Sequence, residues 1–344
     1  MVPLRPDLSR FARTPLRGGP SPIQHLPRLS QKLGGADIFV KREDLDGLGG
    51  GGSKLRKLEF LIGEAEARGA DTIITVGGRQ SNHARLTAAA AARVGMKCEL
   101  VLSRLVPIED DDYVNNGNVL LDQLFGARIH DIPGNVNALE FAENRAAILR
   151  SEGRNVYVCP LGGSSPAGCL GYVDCAVEIV DQTEAQGLDF EHVVVANGSG
   201  GMQAGLLAGS IVMGRPTAAI IGFTVLAELE KARTTTLEKT RQTVALLDPT
   251  LTVPDEAITL YGDQLGSGYG IPTEAMREAL GLTASLEGLL LDPVYSGKAF
   301  AGLIKEIRNG RFRRGQSVLF LMTGGLPSLF AYRGSLEHLT PSGP

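Results

Sequence analysis

The feature that most constrains the fold is a repeated alternation of short apolar segments with helical patterns. Eight apolar segments lie at 38–40, 72–76, 98–102, 127–132, 156–158, 193–196, 219–223 and 318–322. Between them, apolar residues such as Leu55, Leu58 and Ile62 follow helical spacing. Short, continuously apolar strands that alternate with helices are typical of parallel sheets covered on both faces. The sequence therefore predicts an α/β protein.

Glycine clusters lie where several of these strands end. Glycine accounts for 44 of the 344 residues, which is about twice the ordinary share. In open parallel sheets, ligands bind at the carboxyl ends of the strands. The loops of interest are therefore 77–83, 162–165, 197–201 and 323–325. Four such loops on one chain predict a single shared cleft between two α/β layers.

Charge and cysteine content exclude several classes of function. The formal net charge is −4, there is no Trp and no long basic run, so we expect neither nucleic acid nor a membrane as partner. The four cysteines and five histidines show no metal-ligand spacing, so we expect no metal site. Segment 1–16 lacks the apolar core of a signal peptide. We expect a reduced, cytoplasmic protein.

Two nucleotide-binding motifs fail on inspection. The P-loop motif GxxxxGK[ST] matches from Gly47 to Gly52, but the order Ser53-Lys54 reverses its end. The dinucleotide motif GxGxxG begins at Gly198 but meets Gln203 where its last glycine should be. What remains is a glycine-rich loop between a strand and a helix, which suits a phosphate group. A tight turn without a ligand is the alternative.

Lys54 follows four consecutive glycines and opens an amphipathic helix. Glycine lets the backbone approach a ligand closely. A lysine amine forms a Schiff base with an aldehyde, and an aldehyde cofactor that carries a phosphate also needs an anion site. Lys54 together with the separate loop 197–201 therefore predicts pyridoxal 5'-phosphate. The alternative is that Lys54 joins Arg56 and Lys57 in a surface cluster.

Six segments together carry a close family resemblance. They are KREDLDGLGGGGSKLRKLEFL, VGGRQSNHARLTAAAAARVGMKC, NVYVCPLGGSSPAGCLGY, GSGYGIP, SLEGLLLDPVYSGKAFAGL and LMTGGLPSLFAY. As a set they resemble the D-cysteine desulfhydrase and 1-aminocyclopropane-1-carboxylate (ACC) deaminase family, whose members are fold-type II pyridoxal phosphate enzymes. The resemblance runs from about residue 15 to about residue 333.

The resemblance implies an α/β fold of the tryptophan synthase β type, with two three-layer α/β/α domains and mostly parallel sheets. A small domain would span 57–168, and a large cofactor-binding domain would combine 1–56 with 169–344. Closure of the small domain over a small amino-acid substrate would exclude water. The family also implies a homodimer.

The resemblance implies roles for individual residues as well. Lys54 matches the lysine that bonds the cofactor and moves protons, Asn82 the residue near the cofactor ring, and Thr323 the hydroxyl partner of the pyridine nitrogen. The catalytic residues would be Lys54, Ser81, Tyr269 and Tyr295. The phosphate loop would comprise Gly198, Ser199, Gly200, Gly201 and Met202. The substrate contacts would be Ser81, Asn82, His83, Arg79 and Tyr295. Taken alone, Ser81 would be interpreted as a helix cap and the tyrosines as packing residues.

One departure from the family pattern concerns the reaction type. ACC deaminases carry a Glu directly after the tyrosine of DPVY, whereas this chain has Ser296. A carboxylate there would keep the ring nitrogen protonated and make the ring a strong electron sink, which a hydroxyl cannot do. A weaker sink favours prompt loss of a β leaving group. Ser296 therefore favours β-elimination over opening of a cyclopropane ring, and the desulfhydrase branch has a small hydroxyl residue there.

Other departures concern the substrate and the phosphate. Arg79 stands where the branch usually has an apolar or small residue, and it could bind a second anionic group such as a sulfonate. Alternatively, Arg79 points to solvent or pairs with an acidic side chain. Ser53 replaces the usual Asn, and Met202 replaces the usual Thr of the phosphate loop. Backbone N–H groups and Ser199 can offset the hydroxyl lost at Met202.

Several hypotheses about function follow. The first is α,β-elimination from D-cysteine to pyruvate, sulfide and ammonia. Lys54 would remove the Cα proton, and Tyr269 or Tyr295 would assist the leaving thiolate. A cysteate sulfo-lyase that releases sulfite, or an ACC deaminase that releases 2-oxobutyrate, would keep the family and change the substrate. A pyridoxal phosphate-binding protein without catalysis is a remote alternative, which the retained active-site residues disfavour.

Overall fold

The computed structural model describes residues 5–336, which form two β-sheets and their covering helices. Within that range the strands are β1 (Ile23–His25), β2 (Asp37–Arg42), β3 (Thr72–Gly78), β4 (Lys97–Arg104), β5 (Arg128–Pro133), β6 (Val156–Cys159), β7 (His192–Asn197), β8 (Ile220–Thr224), β9 (Thr259–Tyr261) and β10 (Ser317–Met322). The helices are α1 (Pro27–Leu33), α2 (Lys54–Ala67), α3 (Asn82–Val94), α4 (Asp111–Asn115), α5 (Asn118–Leu124), α6 (Ala138–Ser151), α7 (Pro166–Gln186), α8 (Gly201–Val212), α9 (Leu229–Leu247), α10 (Glu274–Glu287), α11 (Ser296–Arg308) and α12 (Pro327–Ala331). In this described part of the chain, none of the helices is both long enough and apolar enough to cross a membrane.

Both sheets are mostly parallel. One has the strand order β1-β2-β10-β7-β8-β9 and the other has the order β5-β4-β3-β6. All neighbouring strands run parallel except β1 and β2. The expected α/β class with mostly parallel sheets is confirmed, and all eight strands predicted from the sequence occur. The prediction missed β1 and β9, because these three-residue edge strands are too short to show a pattern.

Helices cover both faces of each sheet. In the four-stranded sheet, Ile73 packs with α2 and α3, whereas its neighbour Ile74 packs with α6. In the six-stranded sheet, Val194 packs with α10 and α11, whereas Val195 packs with α7 and α8. Because successive strand residues point to opposite faces, strands covered on both sides are continuously apolar. The four-stranded sheet uses only strands between residues 72 and 159; the domain limits at 57 and 168 stay a prediction.

A buried ionic cluster fixes the beginning of α2 against the end of β2. Arg56 and Glu43 are both fully buried, and the guanidinium of Arg56 lies 2.5 Å from the carboxylate of Glu43. Arg56 also donates to Glu178 on α7 at 2.9 Å, and the ammonium of Lys41 donates to the same carboxylate at 2.6 Å. Burial by itself raises the pKa of Glu43, but the charge of Arg56 brings it below its usual range.

This cluster decides between two interpretations of the segment around Lys54. Arg56 and Lys57 are each 1% exposed or less, so they do not form a surface cluster with Lys54. The charge of Arg56 is paired inside the protein, where an unpaired ion is costly, and burial lowers the pKa of Lys57 well below its usual range. The first turn of α2 is therefore anchored by polar contacts rather than by apolar packing alone.

Loss of the Glu43 carboxylate should destabilise the protein strongly. We expect Glu43→Gln to lower the free energy of unfolding by about 3 kcal/mol in urea denaturation, because a buried guanidinium loses a charged partner. Since the pKa of Glu43 is lowered in the folded state, this stabilisation is present at neutral pH. It is lost as the pH falls through the folded-state pKa.

A matched control is Glu278→Gln, which removes an exposed carboxylate that pairs with Arg308 at 2.6 Å. We expect this variant to lose less than about 1 kcal/mol, because solvent screens an exposed ion pair. Similar losses in the two variants would contradict the anchoring role of the buried cluster.

Candidate active site

The carboxyl ends of the strands of both sheets open into one cleft. Its lining includes residues of the four glycine-rich loops that the sequence singled out, 77–83, 162–165, 197–201 and 323–325. These loops follow β3, β6, β7 and β10 respectively. The expected shared cleft is confirmed.

Lys54 is the first residue of α2 and lines this cleft. The chain reaches it through the glycines 49–52, all of which have positive φ. At Gly51, φ is 73°, and a side chain would collide with two backbone carbonyl oxygens, so only glycine fits. The Lys54 amine lies 5.7 Å from the centre of the Tyr295 ring. Burial lowers the pKa of Lys54 to about 8, against an opposing effect of Asp292, which leaves this amine more nucleophilic than an exposed lysine.

The predicted phosphate loop forms one wall of the cleft. Helix α8 begins at Gly201, directly after Gly200, whose φ is 82°. The wall is lined by Gly198, Ser199, Gly200 and Met202. The N-terminus of a helix offers unpaired N–H groups and a positive dipole end, both of which favour an anion. The geometry of this loop therefore suits a phosphate group.

A second lysine, which sequence reasoning did not select, lies beside this loop. Lys57 is one helical turn after Lys54, and its amine donates to the hydroxyl of Ser164 at 2.8 Å. That hydroxyl lies 2.7 Å from the hydroxyl of Ser199. A side chain at Gly201 would come within 2.8 Å of the Lys57 amine, so the glycine lets this amine lie next to the start of α8, and burial lowers the pKa of Lys57 well below its usual range. The spacing of three residues from Lys54 was the only sequence signal for it.

Ser81 and Asn82 lie together where β3 passes into α3, and both line the cleft. The hydroxyl oxygen of Ser81 accepts a hydrogen bond from the backbone N–H of Ala84 at 3.1 Å, so Ser81 caps α3. Its hydroxyl hydrogen remains available to a ligand. The side-chain oxygen of Asn82 accepts from the amide of Asn118 at 3.0 Å, which fixes the orientation of the Asn82 side chain.

His83 also reaches the cleft, as a neutral imidazole. Its Nε2 lies 2.9 Å from the hydroxyl of Thr75. Burial lowers the pKa of His83 well below its usual range, and the charges of Lys54 and Lys57 lower it further. A neutral imidazole at this wall can orient a ligand by a hydrogen bond but brings no positive charge to a carboxylate.

Tyr269 and Tyr295 form a hydrogen-bonded pair in the lining of the cleft. Their hydroxyl oxygens are 2.7 Å apart, and both side chains line the cleft. Burial raises the pKa of Tyr269 to about 12. Burial also raises the pKa of Tyr295 well above its usual range, and Tyr269 contributes to that shift. Both hydroxyls are therefore protonated at neutral pH, and the pair can donate a hydrogen bond to a ligand.

Thr323 follows β10 and lines the cleft between the two walls. Its hydroxyl oxygen is buried and finds no hydrogen-bond partner within residues 5–336. A buried hydroxyl without a partner is costly, so a ligand atom that completes its hydrogen bonds would be stabilised there. Lys54 can bond to an aldehyde, the loop 197–201 can bind a phosphate, and Thr323 can form a hydrogen bond with a ring nitrogen. The side chains present therefore fit pyridoxal phosphate.

Ser296 is fully buried behind Tyr295, where its hydroxyl donates to the carboxylate of Asp292 at 2.5 Å. That carboxylate also accepts the backbone N–H groups of Val294, Tyr295 and Ser296 at 2.7–3.0 Å. Burial raises the pKa of Asp292. The serine that stands in place of a glutamate thus holds the turn that presents Tyr295, and Thr323 remains the candidate for the ring nitrogen.

Arg79 does not join the residues that line the cleft. Its guanidinium pairs with Glu109 at 3.2 Å and with Asp131 at 3.0 Å, and only 7% of the residue is exposed. A sulfonate or carboxylate would have to displace both partners. This geometry favours the alternative, pairing with acidic side chains, and the contact of Arg79 with the substrate stays a prediction.

Comparison with known proteins gives the family. Residues 15–324 match the model of a family described as pyridoxal-phosphate dependent enzyme. The chain belongs to this family. It is 43% identical over 331 residues to a D-cysteine desulfhydrase of Klebsiella pneumoniae (strain 342), a match that covers 96% of this chain and 99% of the relative. It is 42% identical over 325 residues to a D-cysteine desulfhydrase of Salmonella typhi, covering 94% and 97%.

A solved structure agrees with the family assignment. A crystal structure described as that of an ACC deaminase homologue matches with a TM-score of 0.86 and 38% sequence identity, covering 96% of this chain and 97% of that one. The resemblance to the D-cysteine desulfhydrase and ACC deaminase family, the fold type and the cofactor, pyridoxal phosphate, are confirmed. The roles of the individual site residues stay predictions.

Covalent attachment of pyridoxal phosphate should occur at Lys54 and depend on pH. Only the neutral amine attacks an aldehyde, so the attachment rate should rise tenfold per pH unit and level off above a pH of about 8, the pKa of Lys54. An unperturbed lysine would level off only near a pH of about 10.4. The cofactor-free protein is mixed with pyridoxal phosphate, reduced with borohydride at intervals, and its mass is measured.

Lys54→Ala and Lys305→Ala are the paired variants for this experiment. Lys305 is about half exposed on α11, so its loss should leave the mass increase unchanged, whereas Lys54→Ala should abolish it. A mass increase that survives in Lys54→Ala would assign the attachment to another lysine, with Lys57 as the first to test.

Proposed function

We propose that this enzyme catalyses α,β-elimination from a small β-substituted amino acid, and that D-cysteine is converted to pyruvate, sulfide and ammonia. The observation that carries the proposal is the convergence of Lys54, Ser81 and the Tyr269–Tyr295 pair on one cleft. The names of two relatives at 42–43% identity, both D-cysteine desulfhydrases, support the choice of substrate.

Lys54 moves the proton at the substrate Cα. Pyridoxal phosphate, when bound, supplies an aldehyde for amines and an electron sink that acidifies the Cα–H bond. A base for that proton must be neutral and close to it, and burial enlarges the neutral fraction of Lys54 because it lowers the pKa of this amine to about 8. Desolvation of the amine is the cause of this shift.

The start of α3 holds the substrate carboxylate. The Ser81 oxygen already accepts from Ala84, so its hydrogen is free to donate to a carboxylate. The first N–H groups of α3 and its dipole add to this attraction. Ser81 and Asn82 therefore orient Cα toward Lys54, which lines the same cleft.

The tyrosine pair assists departure of the sulfur. The Cα–H and Cβ–S bonds break, the proton goes to Lys54, and the electron pair of the Cβ–S bond leaves with the sulfur. Because both tyrosines remain protonated, a hydroxyl of the pair donates a hydrogen bond to the sulfur as negative charge develops there. The released 2-aminoacrylate then hydrolyses to pyruvate and ammonia.

The alternative substrates receive less support from the geometry. A cysteate sulfo-lyase would need a cation for the sulfonate, and Arg79 is engaged by two carboxylates. An ACC deaminase would need a carboxylate at the position of Ser296, whose hydroxyl is turned to Asp292. A cofactor-binding protein without catalysis would not need the Tyr269–Tyr295 pair at 2.7 Å.

Keto-acid release from a substrate panel tests the proposal. The panel contains D-cysteine, L-cysteine, L- and D-cysteate, β-chloro-D-alanine and ACC. We expect pyruvate with an equal amount of sulfide from D-cysteine, pyruvate from β-chloro-D-alanine, and no 2-oxobutyrate from ACC, because the site lacks a carboxylate for the ring nitrogen. Sulfite release from cysteate would identify cysteate as the substrate in place of D-cysteine. Release of 2-oxobutyrate from ACC would identify ACC instead. If no member of the panel yields a keto acid, the proposed elimination is wrong and only the binding of the cofactor remains.

The proposal also includes a cytoplasmic location and a homodimeric assembly. Within the described residues all four cysteine thiols are buried and unpaired, which fits a reducing compartment such as the cytoplasm.

Two neighbouring helices expose large apolar side chains, Leu120 and Leu124 on α5 and Leu326 and Phe330 at α12. Exposed apolar patches of this kind mark protein interfaces, which supports a homodimer.

Sedimentation equilibrium tests the assembly. We expect twice the mass of one chain, and Leu124→Asp should shift the equilibrium toward single chains, because a charge in an apolar interface is costly. Leu139→Asp, at an exposed leucine of α6, is the matched control and should leave the mass unchanged. A single-chain mass for the wild-type protein would overturn the homodimer.

A further inference from the structure

Lys298 is a buried lysine outside the cleft lining whose amine contacts the loop that carries Tyr269. It lies on α11, three residues after Tyr295, and it is fully buried. The amine donates to the backbone carbonyl of Leu265 at 2.7 Å and to that of Gly268 at 2.9 Å. Buried lysines are rare unless they are paired, and here the partners are two carbonyls rather than a carboxylate.

The loop whose carbonyls accept these two bonds is rich in glycine and has only long hydrogen bonds within its own backbone. Between 265 and 270 it contains Gly266, Gly268 and Gly270, all with positive φ. Its own backbone hydrogen bonds are long, at 3.3 Å between 265 and 262 and at 3.4 Å between 271 and 268. A glycine-rich loop with weak internal bonds samples many conformations unless an outside group holds it.

The same side chain therefore connects both members of the tyrosine pair. Tyr295 immediately precedes α11, and residues three apart on a helix share a face. Lys298 extends from that face to the carbonyl of Gly268, the residue directly before Tyr269. Any movement of the 265–270 loop relative to α11 would change the 2.7 Å distance between the two hydroxyls.

We propose that Lys298 is a positioning residue for the leaving group. It holds the Tyr269 hydroxyl within hydrogen-bond distance of the Tyr295 hydroxyl and so determines how readily the enzyme expels sulfur. This inference rests on the proposed elimination. The role is indirect, because Lys298 contacts the backbone of the loop and not the cleft. Its effect should appear only for leaving groups that need a hydrogen bond as they depart.

The choice of substrate separates this role from a general structural one. Hydrosulfide is a stronger base than chloride, so its departure depends on a hydrogen-bond donor, whereas chloride leaves with little help. We expect Lys298→Met to lower kcat for D-cysteine on the order of 10²-fold, the scale of a misplaced catalytic group, with little change in KM. With β-chloro-D-alanine, kcat should fall by less than about threefold, because proton removal at Cα by Lys54 is unaffected.

A double-mutant cycle adds a second readout. Tyr269→Phe should produce the same dependence on the leaving group, and adding Lys298→Met to it should cause little further loss, since both changes remove the same donor. Lys305→Met is the matched control: it is a lysine of the same helix, exposed, and bound to Asp263 just before this loop. It should leave both substrates unaffected.

Three outcomes would overturn the inference. They are an equal slowing of both substrates by Lys298→Met, additive effects with Tyr269→Phe, or unchanged D-cysteine turnover. If Lys298→Met does not yield folded protein, Lys298→Gln, which keeps N–H donors but shortens the side chain and removes the charge, is tested by the same substrate ratio. Failure of the proposed function is a separate result, because the wild-type enzyme would then form no pyruvate from either substrate.

Discussion

The active site depends on one buried ion pair, Arg56 with Glu43. Both groups are removed from water, so each charge requires the other in place, and neither can shift without exposing its partner to an apolar surrounding. Glu43 follows β2 and Arg56 lies in the first turn of α2, so the pair fixes where that helix begins. Lys54 is two residues earlier and Lys57 one residue later. The direction of both amines into the cleft region follows from this constraint.

Burial then sets the chemistry of the amines and hydroxyls around the cleft. The same desolvation that lowers the pKa of Lys54 to about 8 raises the pKa of Tyr269 to about 12, because both shifts favour the neutral form. The cleft thus contains a base that is partly neutral and a pair of hydroxyls that stay protonated. The positive potential that a phosphate needs is supplied separately, by the N–H groups and dipole at the start of α8, and the Lys57 amine, whose pKa burial lowers well below its usual range, adds a hydrogen-bond donor beside it.

Much of the site was predictable, and the parts that were not share one cause. Lys54, Ser81, Thr323 and the loop 197–201 stand in local patterns, a glycine run or a strand end, that can be recognised in the sequence. Lys57 and Lys298 gain their importance from acceptors far away in the chain, Ser164 and Gly268. The sequence left the partners of Arg79 open for the same reason, since Glu109 and Asp131 come close to it only in the folded chain.

The sequence by itself determined the α/β class, eight of the strands, the glycine-rich loops at their ends, the family and its cofactor. These follow from periodicity, from the backbone freedom of glycine and from motifs that lie within short segments. Only the tertiary structure decided which charges are buried, which hydroxyls have partners, and which side chains face the cleft. Burial and hydrogen bonding depend on residues that are distant along the chain and adjacent only after the two sheets have packed, so no local pattern records them.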